Sequence, residues 1–470
     1  MKRERIAIIG GGAAGTTAAW QLHTLHDITL FEAAPRLGGH AYTHHFKVGE
    51  ESLHVDMGVE YFNERLAPNL FAMLQELAIE TYIAPMSFRA AFAGDDNAWS
   101  NLHGQGRLRR ELTDEIDRFH QDMTEVLGSG DPRYKKLNIG EFLAERGYSE
   151  AFKQQALLPL LTTFSGCNAP SLEYTLMYVA ISFNMSLLSF FSPGCWRKAK
   201  GGIDGYLIRL GHILGERVRL DCPIRQVRKQ PGKGWLVETV QGVIEPFDSV
   251  VFATHADVTL KLLESPTAEQ HDILSRFDYV PTHSVLHSDA SLLVDGGRGE
   301  YCEFSRPAHL QDGDYGQLTR INNALAPYAH LSEPVLVTFD PKQPVAAGHQ
   351  VHEQRWKLPK LRPLDFYQKT RYRRIQGLEN LWYCGTDTSL TGHEGAVVSG
   401  MVIAHRLGAD HPYADNGLAA IQFNVIKDLM GVHRPSERFK AALGSLVFAV
   451  AKGTSLHKSQ SHKFIKDVIV

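Results

Sequence analysis

The residues with the plainest chemical meaning stand at the N-terminus. Ile6 to Ile9 is a short β-branched run, followed by Gly10-Gly11-Gly12-Ala13-Ala14-Gly15 and then by a helical pattern from Thr16 to His23. Strand, glycine turn and helix in that order make an anion site, with one glycine for the tight turn, one for backbone approach to a pyrophosphate and one for helix packing. The phosphates then lie on the helix N-terminus, where unpaired backbone N–H groups favour negative charge. A second strand, Ile28 to Phe31, ends at Glu32 and Ala33, where the fingerprint places the acid for a ribose hydroxyl. The expectation is an adenine dinucleotide held by Gly10, Gly12, Ala13, Ala14, Gly15, Glu32 and Ala33.

The residues after Glu32 say which dinucleotide. Arg36-Leu37-Gly38-Gly39 resembles the Arg-x-Gly-Gly of the flavin-containing amine oxidase superfamily, and Val55-Asp56-Met57-Gly58 resembles its Asp-x-Gly element. The stretch from Leu381 to Leu407 is similar to the strand, loop and Gly-Ala-x-x-Ser-Gly helix with which that family closes its FAD site. The resemblance implies FAD as cofactor. Arg36, Gly38, Gly39 and Gly58 would lie along it, and Gly385, Glu394, Gly395 and Ala396 would face its flavin half. Many relatives carry an acid directly after the strand glycine; here Thr386 intervenes and Asp387 stands one place later. Lys200 to Gly205 resembles the family's Gly-Gly turn, after which Val227 would hold adenine. Arg36 to His40, Pro281 to Leu293 and Gly392-His393-Glu394 are most similar to a bacterial branch of predicted NAD/FAD-binding proteins.

These elements must come together from separate stretches. The implied architecture is α/β: a Rossmann-like FAD-binding domain of the glutathione-reductase type, interleaved with an α+β substrate domain as in monoamine-oxidase-like flavoproteins. The FAD-binding domain is assigned to 1–75, 195–265 and 375–408, the substrate domain to 76–194 and 266–374, and a C-terminal helical extension to 409–470. Tyr174 to Phe191 has no charged residue but carries Thr175, Ser182, Asn184, Ser186 and Ser189, which argues for a buried helix over a membrane span. Phe183, Met185, Leu187, Phe190 and Trp196 from this region either line an apolar cavity or pack a core.

Composition excludes several classes. The 470 residues include 49 basic and 52 acidic ones, a net charge of −3, which leaves no electrostatic footprint for nucleic acid. Five scattered cysteines without C-x-x-C spacing give no disulfide framework or zinc site, and fit a reducing cytoplasm. The N-terminus enters a strand at once, so no signal peptide is expected. His40, His44 and His45 have no carboxylate at ligand spacing, and no metal is expected. Ala441 to Ala451 is apolar and flanked by lysines. Such a helix either packs on its domain or touches an anionic membrane or an acidic partner.

The reaction is less specified than the fold. Amine oxidases of this family frame the substrate with aromatic residues, one from the loop before the Gly-Ala helix; here that loop offers His393. An imidazole there would exchange protons in the physiological range or hydrogen-bond the flavin. Glu60 and Tyr61, just beyond Gly58, and then Trp356 are the further groups expected to face the substrate. Three activities remain open: hydride removal from an apolar substrate by a dehydrogenase, desaturase or oxidase; amine oxidation to imine and hydrogen peroxide; and double-bond isomerisation or a non-catalytic flavin-binding role.

Overall fold

The N-terminal apolar run becomes the strand Arg5–Ile9, parallel to its neighbours on both sides. The structure, a computed structural model, describes residues 2–102, 110–165, 171–185, 196–296, 299–306, 316–390 and 392–434. Leu187, Phe190, Cys167, Cys195 and the apolar stretch 441–451 lie outside the described residues. Across the first sheet the order is Leu381–Tyr383, Ser249–Phe252, Arg5–Ile9, Asp27–Phe31 and Val218–Arg219, all parallel. Three separated stretches of chain therefore build one sheet. The winding reverses between Arg5–Ile9 and Ser249–Phe252, and in such sheets ligands bind outside the carboxyl ends at the reversal.

Both faces of this sheet are covered, which is why its central strands are apolar throughout. Ile6 and Ile8 share a core with the helices Ala13–Leu22 and Gly392–Arg406, whereas Ala7 and Ile9 face an antiparallel sheet of Ile224–Gln230, Gly234–Thr239 and Ile244–Phe247. The two helices cross closely. A Cβ at Gly400 would stand 2.2 Å from the Ala14 carbonyl oxygen, so a side chain there would push the pair apart.

A seven-stranded sheet forms the second layer system, in the order Gln350–Pro359, Tyr279–His287, Leu336–Phe339, Gln317–Ile321, Cys302–Arg306, Phe88–Phe92 and Asp95–Ser100. Helices pack against it around one large core. In Arg110–Ser129 the buried residues Leu112, Ile116, Phe119, Met123 and Val126 recur at helical spacing on one face. The charge-poor run enters the fold as the helix Leu176–Met185, with Phe183 buried and its ring 4.9 Å from that of Phe119. Among the described residues no helix is long and apolar enough to cross a membrane. Beyond residue 409 the chain continues as the helix Gly417–Met430.

Candidate cofactor and substrate site

A cavity of about 1880 Å³ opens at the carboxyl ends of the parallel strands and continues to the second sheet. That is well above the roughly 300–1,000 Å³ of a pocket for one drug-sized ligand, so a dinucleotide and a substrate fit in one continuous space. At one end lie Gly10, Gly12, Ala13 and Ala14. A Cβ at Gly15 would stand 2.0 Å from the Gly10 carbonyl oxygen; only glycine lets the helix start this close to the strand. A Cβ at Gly12 would meet nothing within 4 Å, so the turn presents open backbone to the cavity. Gly15 itself packs behind the wall.

Glu32 is fixed by two backbone donors, Gly11 N–H to Oε2 at 2.6 Å and Ala34 N–H to Oε1 at 2.8 Å. Arg36 donates to the Leu37 and Gly39 carbonyls, each at 3.2 Å, and lies over the Tyr42 ring with its carbon 4.0 Å from the centroid. Gly38, Gly39 and Gly58 line the same wall. Ala33 is exposed and lies off it. Val227 also lies off it: the side chain is buried in the core beneath the antiparallel sheet, and its carbonyl accepts from Glu264 N–H at 3.0 Å.

Loops leaving Ser249–Phe252 and Leu381–Tyr383 supply the next part of the wall. Gly385, Asp387, His255 and Asp257 line it. Asp387 Oδ2 accepts from Ala256 N–H at 2.9 Å and Tyr279 O–H at 2.6 Å, while its Oδ1 is buried without a partner. Asp257 Oδ1 and His255 Nδ1 are buried and unpartnered as well. Behind the loop, the buried Lys369 donates to the Thr386 carbonyl, and burial pushes its pKa down to about 8.

His393 and Glu394 stand in the first turn of Gly392–Arg406, yet face different partners. His393 Nε2 lies 2.8 Å from the Tyr206 hydroxyl. Burial pushes its pKa down to about 4, so the ring is neutral at pH 7 and does not titrate in the physiological range, contrary to the expectation from residue type. His40, on the same wall, is likewise pushed to about 4 by burial and by His255 and His393. The Glu394 carboxylate accepts from Asn69 N–H at 2.9 Å, Asn69 Nδ2 at 2.8 Å and Leu70 N–H at 2.8 Å, capping the helix Pro68–Glu76. Burial pushes its pKa up to about 7 against the pull of those donors. Gly395 and Ala396 complete the turn along the cavity.

On the substrate side the walls include Tyr61, Met86, Trp196, Leu318 and Phe339. Glu60 is there too, but it is not a free acid. Its oxygens meet Lys198 Nζ at 2.8 Å, Arg320 Nε at 2.8 Å and the Tyr301 hydroxyl at 2.7 Å. Asp56 lies 3.7 Å from the same lysine. Burial opposes the charge on Lys198, yet Glu60 and Asp56 outweigh it and hold its pKa above the ordinary value. Tyr61 differs: its hydroxyl is buried without a partner, and burial holds it protonated far above its ordinary pKa. Trp356 is anchored by Nε1 on Ser284 Oγ at 3.1 Å and faces His40, with ring centres 5.2 Å apart.

A sequence model of the flavin containing amine oxidoreductase family matches residues 13–288. The chain belongs to this flavin-containing amine oxidoreductase family. Pig flavin-containing amine oxidase B is 25% identical over 297 residues, 60% of this chain and 56% of that protein. The pig A form is 25% identical over 290 residues, 58% and 54%. The chain thus spans about half the length of these relatives. Putrescine oxidase shares the fold with TM-score 0.64 at 15% identity, over 86% of this chain and 99% of that one. Cyclohexylamine oxidase from Brevibacterium oxydans gives 0.65 at 15%, over 86% and 100%, and a fatty acid isomerase from P. acnes gives 0.64 at 17%, over 86% and 98%.

FAD is the cofactor of this family, and the wall fits it. An open glycine turn at a helix N-terminus suits a pyrophosphate. Asp387 and Asp257 on the same wall each keep an unpartnered acceptor oxygen, an acceptor set that suits a group rich in hydroxyls. Sequence reasoning missed Tyr206, Lys198, Tyr301, Arg320 and His255. Tyr206 directly follows the recognised Gly-Gly turn, but nothing in its spacing joins it to His393.

Proposed function

We propose that the chain is an FAD-dependent oxidoreductase that removes a hydride from a large, apolar, uncharged organic substrate, as a dehydrogenase or desaturase. The pairing of Glu60 carries this reading. The buried acid on the substrate side is already held by Lys198, Arg320 and Tyr301. An ammonium ion entering beside this balanced cluster would lose its hydration and find no unpaired carboxylate in it, a cost of several kcal/mol. An apolar skeleton incurs no such cost and gains by burial against Met86, Trp196, Leu318 and Phe339.

FAD, when bound, supplies the two-electron acceptor. The chain's own residues orient the substrate and exclude water. The Tyr61 hydroxyl, kept protonated, donates to an acceptor oxygen on an otherwise apolar molecule. His393, with Nε2 engaged by Tyr206, keeps Nδ1 to hold or give a proton.

Amine oxidation is the second reading, supported by the named amine oxidases among the relatives and fold neighbours. Double-bond isomerisation is the third, supported by the fatty acid isomerase of the same fold. The test is anaerobic flavin reduction by a panel of apolar lipids and a panel of amines. Reduction by the lipids alone supports the proposal. Reduction by amines, with peroxide under air, replaces it, and a product of unchanged mass selects the isomerase. Contact of the basic tail with an anionic membrane is a separate proposal, removed if anionic liposomes fail to float the protein at low salt.

A further inference from the structure

We propose that Tyr42 is a positioning residue that couples the arginine of the cofactor cradle to a pair of stacked imidazoles, so that acid loosens the cradle. The inference rests on the reading of the cavity as an FAD site. Three observations carry it. The Tyr42 ring is the platform under the Arg36 guanidinium, at 4.0 Å, and Arg36 faces the cavity. The Tyr42 hydroxyl lies 3.3 Å from His44 Nδ1 and 3.1 Å from His352 Nε2. The two imidazoles stack with centres 4.1 Å apart and planes 11° from parallel. His44 comes from the strand Thr43–Val48 and His352 from the edge strand Gln350–Pro359 of the second sheet, so the bridge also ties the cradle to that sheet.

Proton counting makes the bridge sensitive to acid. A phenol has one O–H, so Tyr42 donates to one imidazole and accepts an N–H from the other. Two neutral rings satisfy that arrangement. A proton added to the accepting ring makes both rings donors, and the Tyr42 O–H must break away and rotate. The new charge then faces Arg36 from beside its own platform. Burial, and after it His352 and His45, already push His44 down to about 4. The other groups facing the cluster are Glu353 and Arg36 at His352, and Asp204 near Tyr42 and Arg36. Opposite His44 on the paired strand is Val55, and opposite His352 is Leu286; neither brings a counter-charge. Phe46 stacks on the outer side of His44 at 5.9 Å.

The test follows FAD release from the diluted holoprotein by the rise of free-flavin fluorescence, at about pH 7.5 and about pH 4, the second low enough to protonate the His44–His352 pair. Wild-type release is expected to be at least about twofold faster at the lower pH, where about half of the His44 rings carry the extra proton. In Tyr42→Phe and in His352→Gln the ratio of the two rates falls toward one. Circular dichroism at both pH values, and recapture of FAD on return to neutral pH, separate release from unfolding. Equal wild-type rates, faster release with loss of secondary structure, tighter binding in acid, or an unchanged ratio in both variants would each overturn the inference. A protein that takes up no FAD at neutral pH overturns the cofactor reading as well, and is told apart by that.

Discussion

Tyr206 Oη and His393 Nε2 are 2.8 Å apart across 187 residues of sequence, and this contact fixes the imidazole in the first turn of Gly392–Arg406, on the cavity wall. Both groups are withdrawn from solvent, so the ring is held neutral and oriented. His393→Ala is expected to retain FAD and to lower turnover by about 10²-fold, the range of a lost proton-handling group. The rate profile should show no His393 limb near neutrality. Unchanged turnover in His393→Ala reduces the residue to a packing role.

Glu60 anchors a buried cluster in which every charge has a partner. Lys198→Met leaves Glu60 and Asp56 short of a cation and is expected to cost about 3–5 kcal/mol. Urea unfolding of the FAD-free protein measures this directly. A midpoint equal to wild type would show that the cluster is not closed.

Tyr61 carries a buried hydroxyl without a partner. Tyr61→Phe removes an unsatisfied group and should leave the ligand-free protein as stable as wild type or about 1 kcal/mol more so. KM for the true substrate should rise. A fall in stability with KM unchanged would place the hydroxyl in a structural bond.

Acid should destabilise the fold through its buried histidines, three of which outweigh the opposing carboxyl of Glu394, raised by burial to about 7. His40, His287 and His393 are pushed by burial to about 4, below an unfolded value near 6.5. The unfolded chain then binds more protons between those values, so the contribution is complete above about pH 6.5 and is lost as pH falls toward 4. Urea midpoints at neutral pH and near pH 5 test the sign. A midpoint that holds or rises toward pH 5 contradicts it.

Much of the cofactor side was legible because its logic is local. Gly10 to Glu32 is one continuous strand, turn, helix and strand, and Gly385 to Ala396 is another contiguous unit. The substrate side was not, because its contacts are set by sheet register and chain crossing. Arg320 reaches Glu60 from a strand whose place follows from pairing with Cys302–Arg306, and Lys198 arrives from a third stretch. The sequence made Glu60 a candidate to face the substrate, but nothing in its spacing announces the three partners that hold it. His44 and His45 are adjacent in sequence, but strand alternation sends them to opposite faces, His44 to His352 and His45 toward His54 and Asp204. Val227 matched a motif by spacing; its carbonyl accepts from Glu264 N–H.

The most direct test of the central claim is native mass spectrometry of the gently purified protein, followed by identification of everything released on denaturation. The account predicts one FAD per chain, accompanied by a neutral, apolar small molecule in the remainder of the cavity. A protein without flavin, or one holding FAD together with a cationic amine, would contradict it.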